Sequence, residues 1–163
     1  MIIEEMISNK YKVRKLITSD IDAIYDLCHK NSFYYDFHPP MVTHESIIED
    51  MEALPPNKTM DDKYFIGFWD DNHLVAVMDL ILSYPSVDYA FIGFFIIDIQ
   101  MQGKGTGSNI ITECLSYLKK NGFSKIRLGV DKGNPQSLHF WHKNGFEIDQ
   151  SYKGDYIAME RII

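Results

Sequence analysis

Residues 89–97, Tyr-Ala-Phe-Ile-Gly-Phe-Phe-Ile-Ile, carry no charge, and a few residues later the chain turns to Gln102-Gly103-Lys104-Gly105-Thr106-Gly107-Ser108. Strict alternation puts Tyr89, Phe91, Phe95 and Ile97 on one face and Ile92, Phe94 and Ile96 on the other. A strand that is apolar on both faces needs cover above and below, so this run is expected at the centre of a layered α/β fold.

The surrounding pattern supplies the layers. Two further strand-like runs precede it, DKYFIGFW and HLVAVMDLIL, separated by Asp70-Asp71-Asn72 and followed by the loop Ser83-Tyr84-Pro85-Ser86. Together the three runs read as an antiparallel meander. Upstream, residues 11–17 alternate apolar and basic side chains as a first strand. Thr18 is expected to cap a helix bearing Ile21, Ile24, Tyr25 and Cys28 on one stripe. The segment NSFYYDFHPP is expected to break that helix, with a second from about Thr43 to Leu54. Downstream, a helix over about Gly105 to Lys120 turns Ile110, Ile111, Cys114, Leu115 and Leu118 inward. The strand KIRLGV follows, then a helix capped by Asn134 with Pro135 at its first position, then a closing hairpin around Lys153-Gly154-Asp155. The order is β-α-α-β-β-β-α-β-α-β-β.

With 163 residues, 45% hydrophobic and 24% charged, the chain is expected to form a single domain over 1–163. Its acidic N-terminus lacks the basic flank of a secretory signal, and no run approaches the roughly 18 apolar residues of a membrane span, so a cytoplasmic location is expected. Cys28 and Cys114 lie far apart and read as small core residues. A net charge of -7 without clustered Lys and Arg argues against a nucleic-acid partner and suits a cationic small molecule. His139 and His142 are spaced i, i+3, but no third ligand accompanies them, so no metal site is expected and they read as surface histidines.

The glycine-rich turn is the strongest chemical signal. Alternate glycines let backbone N–H groups converge, and the following helix N-terminus adds partial positive charge, so the turn suits a pyrophosphate. Lys104 and the Thr106 and Ser108 hydroxyls can add contacts. The spacing is not that of a P-loop, GxxxxGK[ST]. A dinucleotide fingerprint would want glycine where Ser108 stands, with further βαβ units behind it. A plain strand-to-helix turn is the remaining alternative.

A second block weighs against the plain turn. Asn134-Pro135-Gln136-Ser137-Leu138-His139-Phe140-Trp141-His142-Lys143-Asn144-Gly145-Phe146 opens some thirty residues later. Together the two blocks resemble the GNAT superfamily of N-acetyltransferases. Its signature (Gln/Arg)-x-x-Gly-x-(Gly/Ala) is matched by Gln102, Gly105 and Gly107, and its later Asn-helix-Gly-Phe block by Asn134, Gly145 and Phe146. The resemblance implies a mixed, mostly antiparallel sheet with a central parallel strand pair, residues 89–97 and 124–130, and flanking helices. It implies acetyl-CoA as cosubstrate, lying where those two strands part. The backbone at Ile97 and Asp98 would meet the pantetheine arm, residues Gln102 to Ser108 would hold the pyrophosphate, and Asn134 would reach the cofactor from the second strand's loop. The reaction implied is direct attack of a primary amine on the thioester, with a backbone N–H of residues 95–97 as oxyanion donor. A homodimer through the terminal strands is implied as well.

Two departures from the family pattern matter. Residues 90–97 contain no Asp or Glu where many relatives place a catalytic glutamate. Asp79, on the preceding strand among apolar neighbours, is then either a desolvated general base or a hydrogen-bonded structural carboxylate. Trp141 stands where many relatives carry a tyrosine that protonates the leaving thiolate; an indole donates a hydrogen bond but is no acid. It therefore either shapes the cofactor channel or packs between helix and sheet, and Tyr84 becomes a candidate proton donor. Tyr34, Tyr35, Phe37 and His38 are candidates for the acceptor groove or for packing between helices. Asp36, Asp79 and Asp88 are placed near that groove. The expected acceptor is a small cationic amine; a protein N-terminus or lysine, and a non-catalytic acyl-CoA-binding module, are the alternatives.

Overall fold

The computed structural model describes all 163 residues. Seven strands form one sheet: β1 Lys12–Lys15, β2 Lys63–Asp70, β3 His73–Leu82, β4 Tyr89–Ile97, β5 Lys125–Val130, β6 Glu147–Ile148 and β7 Ile157–Ile162. Their spatial order is β1-β2-β3-β4-β5-β7-β6. Every neighbouring pair is antiparallel except β4 and β5, which run parallel at the centre. This is the mixed sheet with one central parallel pair that the sequence led us to expect.

Helices cover both faces of it. α4 (Thr106–Lys120) and α5 (Pro135–Lys143) lie against one face, where Ile110, Ile111, Cys114 and Leu118 meet Ile66, Met78, Ile92 and Leu128 in the larger core. On the other face α1 (Ile21–His29), α2 (Ser32–Phe37) and α3 (His44–Glu52) cover β1 to β3 and the far end of β4. There Ile24, Leu27 and Ile47 meet Phe65, Val77 and Ile96. Thr43 caps α3 by accepting from the Ser46 N–H, and Asn134 caps α5 by accepting from the Ser137 N–H.

β4 does not alternate strictly. Asp79 of β3 pairs with Phe94, but Leu80 pairs with Ile92, so Gly93 is an extra residue and the strand bulges. Ala90 and Ile92 face the larger core with Phe95 and Ile97, while Phe94 and Ile96 face α1 to α3. The face assignment made from alternation therefore holds only up to the bulge. An isolated glycine inside a strand pattern is the signal that marks such a bulge.

Three local expectations are corrected. The segment after α1 does not simply break it; Ser32–Phe37 forms the short α2 before Pro39 and Pro40. Thr18 does not cap α1: it opens a single 3-10 turn, and the Asp20 carboxylate accepts from the Ile17 N–H at 2.8 Å and from both Arg14 nitrogens at 2.8 Å. The closing hairpin has only two residues in β6; Asp149 makes one more bond to β7, its N–H donating to the Ala158 carbonyl at 2.8 Å, while its carboxylate accepts from Ser151 and Arg127.

Asp20 is buried, and the Arg14 guanidinium, with the Ile17 N–H, holds its carboxyl below the ordinary range. A lowered folded value means that the stabilisation is present above the unfolded value of about 3.9 and is lost as pH falls through the folded one. Asp20→Asn should cost about 1–2 kcal/mol at pH 7. Urea titrations of both proteins should show that difference closing below about pH 4.

Candidate active site

β4 and β5 pair only from Tyr89–Lys125 to Ile92–Leu128. Beyond that point β4 continues along β3 to Ile97 while β5 continues along β7 to Val130, so the two strands part. The Asp98 N–H donates to the Val75 carbonyl at 2.8 Å, with Ala76 opposite Ile97. In an antiparallel ladder this register turns the N–H and C=O of Phe95 and Ile97 away from β3, into the gap. The Ile97 carbonyl accepts there from the amides of Asn31 (3.2 Å) and Gln102 (3.1 Å), and Gln102 also donates to Asn31 Oδ1 at 2.7 Å. The N–H groups of Phe95 and Ile97 face the gap with no strand partner.

Past the end of β4 the glycine-rich turn leads into α4. Gly105 takes the N-cap position with φ +78°, a left-handed conformation that disfavours any side chain. Having no side chain, it leaves the first-turn N–H groups of Thr106, Gly107 and Ser108 without a cap. Gly107 serves a different need. A Cβ there would overlap Ile97 Cδ1 and come within 3.1 Å of the Phe140 ring, so glycine is what lets α4, α5 and the tip of β4 meet. A cavity of about 860 Å³ follows, running from the parted strands along the turn to α5 and reaching Asn31, Phe33 and Tyr34 on the α2 side.

α2 straddles the gap. At its start Asn31 is bonded to the end of β4; just after its end, the His38 Nδ1 lies 2.9 Å from Asp131, the residue following β5. Between them Tyr34 packs its ring 5.8 Å from that of Phe94 and 5.4 Å from that of His38. Burial raises the Tyr34 hydroxyl well above its ordinary range, so it stays neutral. On α3, desolvation raises the Asp50 carboxyl, opposed by the charges of His38 and Lys63.

Nine of the residues expected at a cofactor line the cavity: Ile97, Gln102, Gly103, Gly105, Thr106, Gly107, Ser108, Asn134 and Trp141. Trp141 is 7% exposed, with ring centroids 6.0 Å from Phe95, 4.9 Å from Phe140 and 5.1 Å from Phe146, so it packs as well as lines. Lys104 is exposed on the turn. At Asp98 the register directs the N–H to β3, and the buried carboxylate pairs with His73 at 2.8 Å.

The expected catalytic groups are placed differently. Both oxygens of Asp79 accept from Lys63 Nζ, at 2.9 and 2.8 Å, and Lys63 is fully buried. Desolvation raises the Asp79 carboxyl while Lys63 opposes the rise. That is the geometry of a hydrogen-bonded structural carboxylate. Tyr84 does not line the cavity; it packs on Phe91 in the first half of β4, on the face away from α4. Asp88 lies at that same end, bonded to Ser86 and Ser124, and does not border the opening. The residue passed over was Asp131, brought to His38 across 93 positions of sequence with no local pattern to announce it.

The model of the acetyltransferase (GNAT) family matches residues 21–146. A spermidine N(1)-acetyltransferase from Thermoplasma acidophilum is 23% identical over 100 residues, 61% of this chain and 60% of that protein, so the chain aligns with under two thirds of that relative's length. An acetyltransferase from Thermus thermophilus superposes with a TM-score of 0.79 at 18% identity, over 93% of this chain and 96% of that one. The PaiA N-acetyltransferase of Thermoplasma acidophilum, solved with coenzyme A, gives 0.71 at 21% identity, over 93% and 98%.

The close approach at Gly107 generates a stability prediction. Gly107→Ala should destabilise the fold by about 1–3 kcal/mol through overpacking against Ile97 and Phe140. Gly103→Ala, whose Cβ would meet nothing within 4 Å, should cost only the strain of its positive φ, about 1–2 kcal/mol. Ile97→Ala should relieve the first variant and not the second, as read by a double-mutant cycle of unfolding free energies.

Proposed function

The chain belongs to the GNAT acetyltransferase family, and from that premise we propose that it moves the acetyl group of acetyl-CoA onto a primary amine of a small cationic molecule. The observation that carries the proposal is the parting of β4 from β5, with two unpartnered backbone N–H groups facing the gap and a bare helix N-terminus at its end.

The residues fit the donor. The uncapped first turn of α4 suits the pyrophosphate, with Lys104 on its rim. The edge of β4 at Phe95 and Ile97 suits an extended amide-bearing arm, and Asn134 and Trp141 form the far wall. When bound, acetyl-CoA supplies an activated acyl carbonyl. Either free N–H of β4 can stabilise the charge that develops on its oxygen. Gln102 acts one step back: by sharing the Ile97 carbonyl with Asn31 it fixes the end of β4.

Support for a cationic acceptor comes from Asp131, whose carboxylate lies 2.9 Å from His38 just past the end of β5, and from the net charge of -7. The similarity to a spermidine acetyltransferase points the same way.

A thiol-release assay over a panel of polyamines, aminoglycosides, amino-acid amides and peptides with free N-termini tests the reading. A polyamine or another small cation should give the highest kcat/KM, and added salt should lower it by screening. A neutral or anionic best acceptor would overturn the cationic assignment, and a best acceptor among the peptides would favour protein acetylation. On the donor side, Gly105→Val should weaken coenzyme A binding at least tenfold by calorimetry, because a β-branched residue strains the left-handed N-cap. Trp141→Phe should retain most of kcat and lower Tm, as befits a residue packed among three aromatic rings.

A further inference from the structure

A primary amine is largely protonated near neutral pH, so acetyl transfer needs a group that removes a proton. The side chains around the parted strands narrow the choice. Asp79 is engaged by Lys63, Asp98 by His73, and Tyr34 is held neutral. His38 differs. Its Nδ1 faces the Asp131 carboxylate at 2.9 Å, which fixes the Nδ1–H tautomer and leaves Nε2 with a free lone pair. The ring is half exposed, so a solute can reach it.

Position supports the same choice. The His38–Asp131 contact runs from the end of α2 to the residue after β5, three residues past Leu128, where β5 stops pairing with β4. Tyr34 links it inward, stacking on His38 on one side and meeting Phe94 edge-on on the other. Phe94 adjoins Phe95, whose N–H faces the gap. His38 thus stands over the gap on the face opposite α4 and α5.

We infer that His38 takes the proton from the acceptor's ammonium, with Asp131 as its positioning residue; the inference rests on the acetyltransferase reading above. The ammonium gives one proton to Nε2, forming an imidazolium that Asp131 stabilises. The freed lone pair forms the C–N bond as the C–S bond breaks, the second amine proton goes to the departing sulfur, and the imidazolium returns the first proton to water. Acetyl-CoA and an ammonium become an amide, a thiol and one solvent proton. The charged and titratable groups around His38 are Asp131 after β5 and Tyr34 on α2, both in contact with it, and Asp50 on α3, which feels its charge.

The test is the pH dependence of kcat/KM for the best amine of the panel in the wild type, His38→Ala, His38→Gln and Asp131→Asn, with coenzyme A affinity by calorimetry as the check on folding. Both His38 variants should bind coenzyme A normally and lose about a hundredfold in kcat/KM at pH 7. That deficit should narrow as pH rises and free amine accumulates. Added imidazole should restore part of the activity of His38→Ala. Asp131→Asn should lower kcat/KM by less than either His38 variant while leaving coenzyme A affinity unchanged, because the imidazole loses the partner that fixes its tautomer and orientation. An active wild type whose His38 variants keep the wild-type pH profile, at any level of activity, would overturn the inference alone. A wild type inert toward every amine would overturn the proposed function and this inference with it.

Discussion

Gly93 has no partner on β3, and that one extra residue reverses the alternation of everything after it in β4. Without it the backbone groups of Phe94 and Ile96 would face β5. With it the N–H groups of Phe95 and Ile97 do, where β5 has already turned away. The bulge depends on glycine for a steric reason, since a Cβ at residue 93 would lie 2.9 Å from Asp79 Oδ2. Asp79 cannot readily move aside, because Lys63 grips both its oxygens from a fully buried position. Leaving either half of such a pair unpartnered costs several kcal/mol, about 3–5. The ion pair and the bulge therefore brace each other, and the parted strands depend on both.

α2 answers the problem that the parting creates. Two strand ends that no longer hydrogen-bond to each other are free to splay, and their polar groups need partners. Asn31 at the head of α2 supplies an amide to the Ile97 carbonyl, His38 at its foot reaches Asp131, and Tyr34 fills the space between against Phe94. Gln102 completes the arrangement from the glycine-rich turn. The helix is only Ser32–Phe37, too short to hold itself by propensity. It exists because both of its ends are tied to strands that must be kept apart.

This explains what was and was not legible in the chain. Elements specified locally could be read: the both-face apolar run of β4, the stripe of α4, the start of α3 near Thr43, the Asn134 cap, and the glycines before α4. Their causes lie within a turn or two of sequence. α2 gave no period to detect in six residues ending at two prolines, and its stabilising contacts lie 66 and 93 positions away. Asp79 stayed open between base and structural carboxylate because its sequence neighbours are apolar; the lysine that pairs with it sits on another strand. The bulge was legible in principle, through the lone Gly93, and strict alternation concealed it.

Direct transfer between two substrates asks one site to hold opposite charges close together without cancelling them, and the sheet provides the means. On the proposed reading the anionic donor approaches at the bare N–H groups of α4, with their partial positive charge and Lys104 nearby. The cationic acceptor approaches under α2, where Asp131 faces His38. The gap between β4 and β5 lies between the two, and it is lined by Phe95, Phe140 and Trp141, which hold the low dielectric in which a backbone N–H acts most strongly on a developing oxyanion. An ammonium entering that apolar gap is penalised for its charge and a neutral amine is not, so the proton must leave at the mouth. The mouth is where the His38 imidazole stands.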